Sequence, residues 1–277
     1  MHYQRLELNH TSTNMARIEN LMSDNAIVFG AAGLLGPFWA KTMGAKADRV
    51  FLVGLNLETD KSVQELIKNY QKKYIAVNED LNSTPKSEIC QEIGSLNFKY
   101  AVFSAGLDSI PNATLEYQEL CKFSWDTWEK YVVDNIRIFV NCLDFFCSHR
   151  TPQSYGVAIG SMYTTVTPNP NNYKRDGNPA TFIKHPGYSA SKNAVRAIVK
   201  QYAAHYASQG LVLNILSPGV VENKQPNWFS DNILPKIPKD KFLVPSDLVG
   251  PLNFLTSPDA SHLIGHELKV DGGYTLW

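Results

Sequence analysis

The stretch VFGAAGLLGPFWA, residues 28–40, decides the fold of this chain. It contains the end of a short apolar run, AIVFG, which is typical of a buried parallel strand. Gly30, Gly33 and Gly36 follow at intervals of three residues, and Pro37 suits the first turn of a helix. In a strand, glycine turn and helix of this kind, the backbone can approach a pyrophosphate and the helix N-terminus presents free N–H groups to it. The stretch therefore predicts a phosphate-binding turn.

The same stretch has to be weighed against three other interpretations. A membrane span needs about 18 or more apolar residues, and this run is too short and too rich in glycine. A P-loop requires a Gly-Lys-Ser/Thr sequence after the glycines, and none follows. A plain tight turn accounts for three glycines equally well, so the rest of the chain has to decide.

Composition bounds the class of protein. Lys and Arg together number 26 of the 277 residues, as do Asp and Glu, and 44% of the residues are hydrophobic. The balanced charge gives no strong field for nucleic acid or an anionic membrane. The four cysteines form no CxxC pair and show no zinc spacing, so we expect reduced thiols, a cytoplasmic protein and no metal site. Residues 1–25 lack the apolar core of a signal peptide and are interpreted as an N-terminal extension.

Apolar runs alternate with amphipathic stretches along residues 26–277. This alternation predicts an α/β fold in one domain, a doubly wound parallel sheet with helices on both faces. Gly210 is placed to end the helix before the sixth strand. After AIVFG, the predicted strands are RVFLVGL (49–55), KYIAVN (73–78), FKYAVFSAG (98–106), YGVAIGS (155–161), LVLNILSPG (211–219) and HELKVDGG (266–273).

A polar insertion, residues 162–187, separates two pieces of chemistry. Ser161 ends the fifth strand, and GYSASKNAV places Tyr188 and Lys192 four residues apart, on one face of a helix. A cation beside a phenol favours the phenolate, and lowering a tyrosine pKa from about 10 by some 3 units takes roughly 4 kcal/mol. Such a tyrosine would exchange protons near neutral pH. The same spacing is also common in ordinary amphipathic helices.

A further polar residue lies in an apolar helix predicted over residues 125–146. Asn135 falls within or beside the apolar stripe of that helix, and a buried amide needs hydrogen-bonding partners. Asn135 is therefore either a satisfied core or surface residue or a polar group placed near a site. The stripe consists of Trp128, Val132, Ile136, Phe139 and Leu143.

In this order, the motifs resemble those of the short-chain dehydrogenase/reductase family over about residues 26–274. The resemblance implies a single-domain Rossmann fold and an enzyme that interconverts a secondary alcohol and a ketone with NAD or NADP. The residues that carry it are GAAGLLG at 30–36, DL at 80–81, SAG at 104–106, Asn135, Ser161, YSASK at 188–192, SPG at 217–219 and VDGG at 270–273.

The resemblance implies a role for each matching position. Tyr188 is the implied general acid/base, Lys192 lowers its pKa and holds the nicotinamide ribose, and Ser161 binds the reacting oxygen. Asn135 is implied to hold a water in a proton relay. The implied cofactor positions are Gly30, Gly33, Leu35 and Gly36 at the pyrophosphate, Asp80 and Leu81 at the adenine, Ser104, Ala105 and Gly106 near the adenosine ribose, Tyr188 and Lys192, and Pro218 and Gly219 beside the nicotinamide.

Departures from the family pattern concern the cofactor. The single-domain branch usually spaces its glycines Gly-x-x-x-Gly-x-Gly, and here the middle one is shifted. Gly54 occupies the position of the acid that bonds the ribose 2′-OH in NAD enzymes, with Asn56 nearby. No basic residue is placed there for a 2′-phosphate. The sequence favours NAD and leaves NADP open.

The shifted glycines, the insertion and the tail, here residues 217–229 and 244–277, resemble bacterial oxidoreductases of surface-glycan and flagellin-modification pathways, which act on sugars related to sialic or legionaminic acid precursors. Residues 220–243 resemble the flap that closes over substrate in this family, with Trp228 and Phe229 as candidates to cover the pocket. Five polar residues of the insertion suit a hydroxyl-rich or phosphorylated substrate, or belong to a solvated loop: Asn169, Asn171, Asn172, Lys174 and Arg175.

The resemblance also bears on partners. It implies a small-molecule substrate and a homotetramer or homodimer joined by the helices that carry Asn135 and Tyr188. Two alternatives remain open. One is a reductase of acyl-carrier or small-ketone substrates, and the other is a non-catalytic scaffold or regulatory protein that kept the fold.

Overall fold

The computed structural model describes residues 24–84, 86–108, 119–175, 178–180 and 184–277. Most of the N-terminal extension predicted over residues 1–25 lies outside the described residues. Parts of the insertion predicted over residues 162–187 also lie outside them. Along the parts of the chain that are described, we found no helix with both the length and the apolar character needed to cross a membrane.

The described residues form a seven-stranded parallel sheet and a small antiparallel pair. The strands are β1 Asn25–Phe29, β2 Arg49–Gly54, β3 Tyr74–Asn78, β4 Phe98–Phe103, β5 Arg150–Ile159, β6 Lys174–Arg175, β7 Asn178–Ala180, β8 Leu211–Pro218 and β9 Glu267–Val270. The large sheet has the order β3-β2-β1-β4-β5-β8-β9, and the pair is β6-β7. The seven predicted strands are confirmed, and β5 begins five residues earlier than the apolar pattern indicated, because its first half is polar and partly exposed.

Helices connect these strands and cover the sheet. They are α1 Gly36–Gly44, α2 Lys61–Asn69, α3 Trp125–Trp128, α4 Asn135–His149, α5 Pro186–Tyr206, α6 Asn227–Ile233 and α7 Val249–Leu255. Gly210 adopts φ +83° between α5 and β8, and a Cβ there would lie 2.0 Å from the Pro152 carbonyl oxygen. The predicted stop at Gly210 is therefore confirmed, with a short 3₁₀ turn between it and the helix.

Two cores lie on opposite faces of the sheet, and β1 contributes to both. Ile27 and Phe29 pack in the core beneath α4 and α5, whereas Ala26 and Val28 pack in the core beneath α1, α2 and α7. Successive side chains of a strand point to opposite faces. Burying each large apolar side chain contributes roughly 1.5–3 kcal/mol, so both faces favour the same register. The predicted doubly wound α/β fold is confirmed.

The helix predicted over residues 125–146 forms without a break, but it is not α-helical throughout. Residues Glu129–Asp134 are π-helical and join α3 to α4, which rotates the buried face between them. Phe139 and Leu143 are buried as the stripe predicted, but Trp128, Val132 and Ile136 are only half-buried. The π-helical segment ends directly before Asn135, the polar residue of interest.

Candidate active site

The structure gives a different environment to each of the three predicted glycines. Gly30 has φ +78°, and a Cβ there would lie 2.4 Å from the Ala105 backbone nitrogen. A Cβ on Gly36 would lie 2.1 Å from the Ala31 carbonyl oxygen. Gly33 has φ +92° with nothing within 4 Å of its Cβ position. The turn therefore leaves open space at Gly33, in front of the helix that Leu35 and Gly36 begin.

The Gly33 backbone is also tied to the second helix. Its N–H donates to Oδ2 of Asp60 over 2.9 Å, while Oδ1 of Asp60 accepts from Ser62 and Val63 in the first turn of α2. These backbone N–H groups outweigh the opposing desolvation and lower the pKa of Asp60. An ionised carboxylate thus lies beside the glycine turn, at a position the sequence analysis did not single out.

A cavity of about 220 Å³ opens where β1, β2 and β4 end. Its walls include six predicted cofactor residues: Gly30, Asp80, Leu81, Ser104, Ala105 and Gly106. Gly54 lines it too, and has φ +153°. Trp39 donates a hydrogen bond from Nε1 to the Ser104 hydroxyl over 3.0 Å. Asp80 accepts from the backbone of Asn82 and Ser83, and hydrogen bonding to the Ser83 side chain is the largest cause of its lowered pKa.

A second cavity, of about 230 Å³, gathers residues that are far apart in sequence. Predicted Ser161, Tyr188 and Gly219 line it, together with Phe229 of the predicted flap. Trp228 packs edge-on against Phe229, with ring centroids 6.0 Å apart. The remaining walls are Asp108, Met162, Tyr163, Tyr173, Lys184, Val220, Val221, Asn223, Lys224, Gln225 and Pro226. The insertion and the flap thus meet over Ser161 and Tyr188.

The polar residues predicted to face substrate from the insertion have other positions. Asn172 is fully buried; it donates from Nδ2 to the Tyr274 hydroxyl over 2.9 Å and accepts from Lys236. Asn169 caps a 3₁₀ turn by accepting from the Asn171 backbone. Asn171, Lys174 and Arg175 are exposed. Within the described chain, the insertion contributes mainly tyrosines and Lys184 to the cavity rather than these residues.

Tyr188 and Ser161 form the centre of the second cavity. Burial is the main cause that raises the pKa of Tyr188; the negative charge of Asp108 raises it further, and a hydrogen bond with the Ser161 side chain opposes both. The Ser161 hydroxyl also accepts from the Tyr163 backbone N–H over 3.2 Å. The expected lowering of the Tyr188 pKa by Lys192 is therefore not seen in this structure, because burial dominates.

Lys192 lies one helical turn from Tyr188. Its Nζ donates to the Ile159 carbonyl oxygen over 2.9 Å and lies 5.8 Å from the centroid of the Tyr188 ring. Burial lowers the pKa of Lys192 to about 8; Asp108 opposes this lowering and Lys184 adds to it. The ammonium expected to stabilise a phenolate therefore loses its proton more readily than an exposed lysine does.

Asn135 ties three segments together. It is 5% exposed, and its amide oxygen accepts from the Leu107 backbone N–H over 2.6 Å. Its amide nitrogen donates to the Leu107 and Tyr131 carbonyl oxygens and to the Ser191 hydroxyl. The side chain therefore fixes the loop after β4 against α5, beside the site. The predicted water-holding role of Asn135 stays a prediction.

Two charged residues of the second cavity were missed by the sequence analysis. Lys184 is 7% exposed, and its Nζ lies 2.6 Å from Oδ1 of Asp108. The same Nζ lies 4.5 Å from the centroid of the Tyr188 ring. Lys184 precedes Tyr188 by four residues, as Lys192 follows it by four, and this symmetry was the available signal. Asp108 comes soon after β4, near the strand ends where ligands of parallel sheets bind.

The fold, with cavities at the carboxyl ends of its strands, is that of a Rossmann-like α/β protein. Tyr188 lines the second cavity, and Lys192 lies one helical turn away. Residues 30–275 match the family model described as enoyl-(acyl carrier protein) reductase. The chain belongs to the short-chain dehydrogenase/reductase family of oxidoreductases.

Two of the chain's relatives are similar over nearly its whole length. The 2-(R)-hydroxypropyl-CoM dehydrogenase of Xanthobacter autotrophicus is 25% identical, over 92% of this chain and 99% of that protein. The 2-dehydro-3-deoxy-D-gluconate 5-dehydrogenase of Dickeya dadantii is 23% identical, over 92% and 96%. Among solved structures, a gluconate 5-dehydrogenase from Burkholderia cenocepacia in complex with NADP and tartrate superposes with TM-score 0.72 at 19% identity, over 92% and 96%. A short-chain dehydrogenase from Leptospira borgpetersenii with bound NAD+ gives 0.74 at 20%, over 91% and 93%.

Proposed function

We propose that this protein uses a nicotinamide dinucleotide to interconvert a secondary alcohol and a ketone on a sugar or sugar derivative. The observation that carries this proposal is the second cavity, where Ser161 and Tyr188 share a small space with Lys192 one turn away. A hydroxyl and a phenol in one cavity, with a lysine one helical turn away, can orient a carbonyl oxygen and exchange its proton.

The residues of the first cavity fit the dinucleotide. The close approach of Gly30 to Ala105 and the N-terminus of α1 suit a pyrophosphate. The wall formed by Asp80 and Leu81 suits an adenine. When bound, the nicotinamide would supply or accept the hydride. Pro218 and Gly219, at the end of β8, are the proposed neighbours of its ring.

The chain's own residues handle the oxygen and the proton. We propose that Tyr188 gives the proton to the oxygen during reduction and takes it back during oxidation. The Ser161 hydroxyl donates to the same oxygen and holds it within reach of Tyr188. Lys192 stabilises the deprotonated tyrosine, and Asn135 supports the relay by fixing the loop after β4. The Phe229 side chain excludes water from above.

A sugar-type substrate is supported by the relatives and by the cavity. Several relatives are named for reactions on sugars or sugar acids, among them the Dickeya enzyme and a galactitol 2-dehydrogenase of Cereibacter sphaeroides. The cavity carries charged and hydroxyl groups beside its apolar walls. Because of the shifted glycines and the tail, we propose that the substrate belongs to a surface-glycan pathway. We further propose a cytoplasmic location and a homodimer or homotetramer joined through α4 and α5.

The proposal is tested by titration with NADH and, separately, NADPH, following energy transfer from tryptophan to the reduced nicotinamide. Trp39 contacts Ser104 of the first cavity and Trp228 contacts Phe229 of the second, so each cavity has a tryptophan beside it. Binding at micromolar concentration supports the dehydrogenase assignment. Binding of neither dinucleotide contradicts it and favours the non-catalytic scaffold.

For the choice of dinucleotide we propose NAD, and Asp60 supports this choice. Gly54 offers no side chain to a ribose, but the Asp60 carboxylate already occupies the Gly33 N–H beside the open turn. A 2′-phosphate approaching that N–H would meet an ionised carboxylate, whereas a 2′-hydroxyl would find an acceptor. The acid that the second strand lacks is thus replaced by one at the start of α2.

Replacing Asp60 by Asn is expected to reduce the preference for NADH over NADPH by about tenfold or more, mainly by tightening NADPH binding. Asn caps a helix as well as Asp does, so α2 remains intact while the charge is removed. The measurement is the ratio of the two dissociation constants. Glu58→Gln is the control, because Glu58 is an exposed acid of the same loop. An equal change in both variants would show a general charge effect and exclude a specific role of Asp60.

A further inference from the structure

The Asp108–Lys184 pair is the strongest charged feature of the second cavity that the proposed reaction leaves unused. Asp108 follows β4, and Lys184 belongs to the insertion just before α5. Both line the cavity with Tyr188, and their charged atoms are 2.6 Å apart. We propose that this pair is a subsite for a hydroxyl group on the carbon next to the reacting carbon of the substrate, an inference that rests on the proposed function.

The two members differ in exposure, which assigns their roles. The Lys184 side chain is 8% exposed and that of Asp108 is 37% exposed. Lys184 lies among aromatic rings, 4.5 Å from the Tyr188 centroid and 5.7 Å from the Tyr163 centroid. A buried ammonium needs a nearby anion, and Asp108 supplies it. Lys184 thus holds Asp108 in place, while Asp108 presents the exposed part of its carboxylate to the cavity.

An ionised carboxylate accepts hydrogen bonds and cannot donate them. A substrate hydroxyl can donate to Asp108, and the bond is strong because its acceptor is charged. A substrate carboxylate or phosphate at this point would be repelled by Asp108. An alkyl group would remove water from Asp108 without replacing the lost hydrogen bond, at a free-energy cost that corresponds to roughly tenfold to a hundredfold in kcat/KM.

The position next to the reacting carbon is inferred from the contacts of Lys184. Its Nζ lies 2.6 Å from Oδ1 of Asp108 and 4.5 Å from the centroid of the Tyr188 ring, so a single ammonium group bridges the carboxylate and the tyrosine within one cavity. A group held by Asp108 is therefore close to the oxygen that exchanges its proton with Tyr188. The subsite distinguishes α-hydroxy ketones, which form when a sugar or polyol is oxidised at a secondary alcohol, from simple ketones and acyl chains.

The test measures kcat/KM for NADH-dependent reduction of acetone, hydroxyacetone and 1,3-dihydroxyacetone, which carry zero, one and two neighbouring hydroxyls. The wild type is expected to prefer 1,3-dihydroxyacetone over acetone by tenfold to a hundredfold. Asp108→Asn and the double variant Asp108→Asn/Lys184→Met are expected to reduce that ratio to about threefold or less. The double variant removes both charges together, so one variant remains informative if an unpaired Lys184 prevents folding.

The readout is the ratio of kcat/KM for 1,3-dihydroxyacetone to that for acetone. A purely structural role of Asp108 would change the rates but not this ratio. Changes in the proton affinity of Tyr188 affect all three ketones equally at one pH, and they cancel. Asp259→Asn, at an exposed acid outside the cavity, is expected to keep the wild-type ratio. Equal kcat/KM values for the three ketones in the wild type, or no reduction of any of them by enzyme that binds NADH, would overturn the subsite. Failure to bind either dinucleotide would instead overturn the proposed function.

Discussion

Replacement of Tyr188 by Phe is expected to lower kcat by about 10²–10⁴-fold, the range that a positioned general acid/base contributes. The ring remains to fill its place among the cavity residues, so the cavity keeps its shape. The hydroxyl that reaches Ser161 is lost, and no proton can be exchanged with the reacting oxygen. NADH binding, measured by tryptophan energy transfer, is expected to change by no more than about threefold.

Tyr206→Phe provides the matched control for this variant. Tyr206 lies on the same helix, α5, where its ring contacts Tyr202 and Arg150 far along the chain from the cavity. The control removes the same atom from the same helix and is expected to keep the wild-type kcat. Normal turnover in Tyr188→Phe would contradict the assignment of Tyr188 as acid/base. A parallel loss of NADH binding would show instead that its hydroxyl is needed for the cofactor site.

The fold could be predicted because its strands are buried on both faces. Such strands appear as continuous apolar runs that a single sequence displays directly. The first half of β5 was missed because residues 150–153 are partly or fully exposed and carry no apolar pattern. The π-helical segment before Asn135 was missed for another reason. It depends on how one helix meets several neighbours, and local periodicity does not encode that contact.

The candidate site could be predicted only in part, because a sequence motif contains only residues that are close together along the chain. Tyr188 and Lys192 share a helix, and their relation follows from spacing. Asp108 and Lys184 are 76 residues apart by their numbers, and Pro186, the first residue of α5, hides the symmetry of the two lysines about the tyrosine. Their pairing exists only after the sheet has brought the ends of its strands together.

The three glycines of the turn differ in what requires them, and their spacing in the sequence does not show this difference. Gly30 and Gly36 are required by backbone contacts shorter than 3.0 Å, which would exist in a scaffold without any ligand. Gly33 faces open space, so no packing contact explains it. Its positive φ is the feature that requires glycine there, and its N–H donates to Asp60.

Replacement of Lys192 by Met is expected to have the second large effect, both on catalysis and on the pH dependence of stability. Without the ammonium, a deprotonated Tyr188 loses its nearest helical partner, and kcat is expected to fall by about 10²-fold or more. Lys200→Met is the control, because Lys200 is an exposed lysine two turns further along the same helix. A kcat within about threefold of wild type in Lys192→Met would remove Lys192 from the proposed relay.

The stability effect has a sign that follows from the lowered pKa. Lys192 has a pKa of about 8 in the folded protein and 10.5 as its ordinary value. Between these two values the unfolded chain binds more protons than the folded one, so Lys192 makes the free energy of unfolding rise with pH, by up to about 1.4 kcal/mol per pH unit. Lys192→Met lacks this rise. The measurement is urea denaturation of the ligand-free protein at pH 7, 8, 9 and 10. The free energy of unfolding of the variant is expected to fall relative to that of the wild type as pH increases. If the difference in free energy of unfolding between the two proteins does not vary with pH, Lys192 is well solvated in the folded state. Lys192 would then stay protonated beside Tyr188 throughout this pH range.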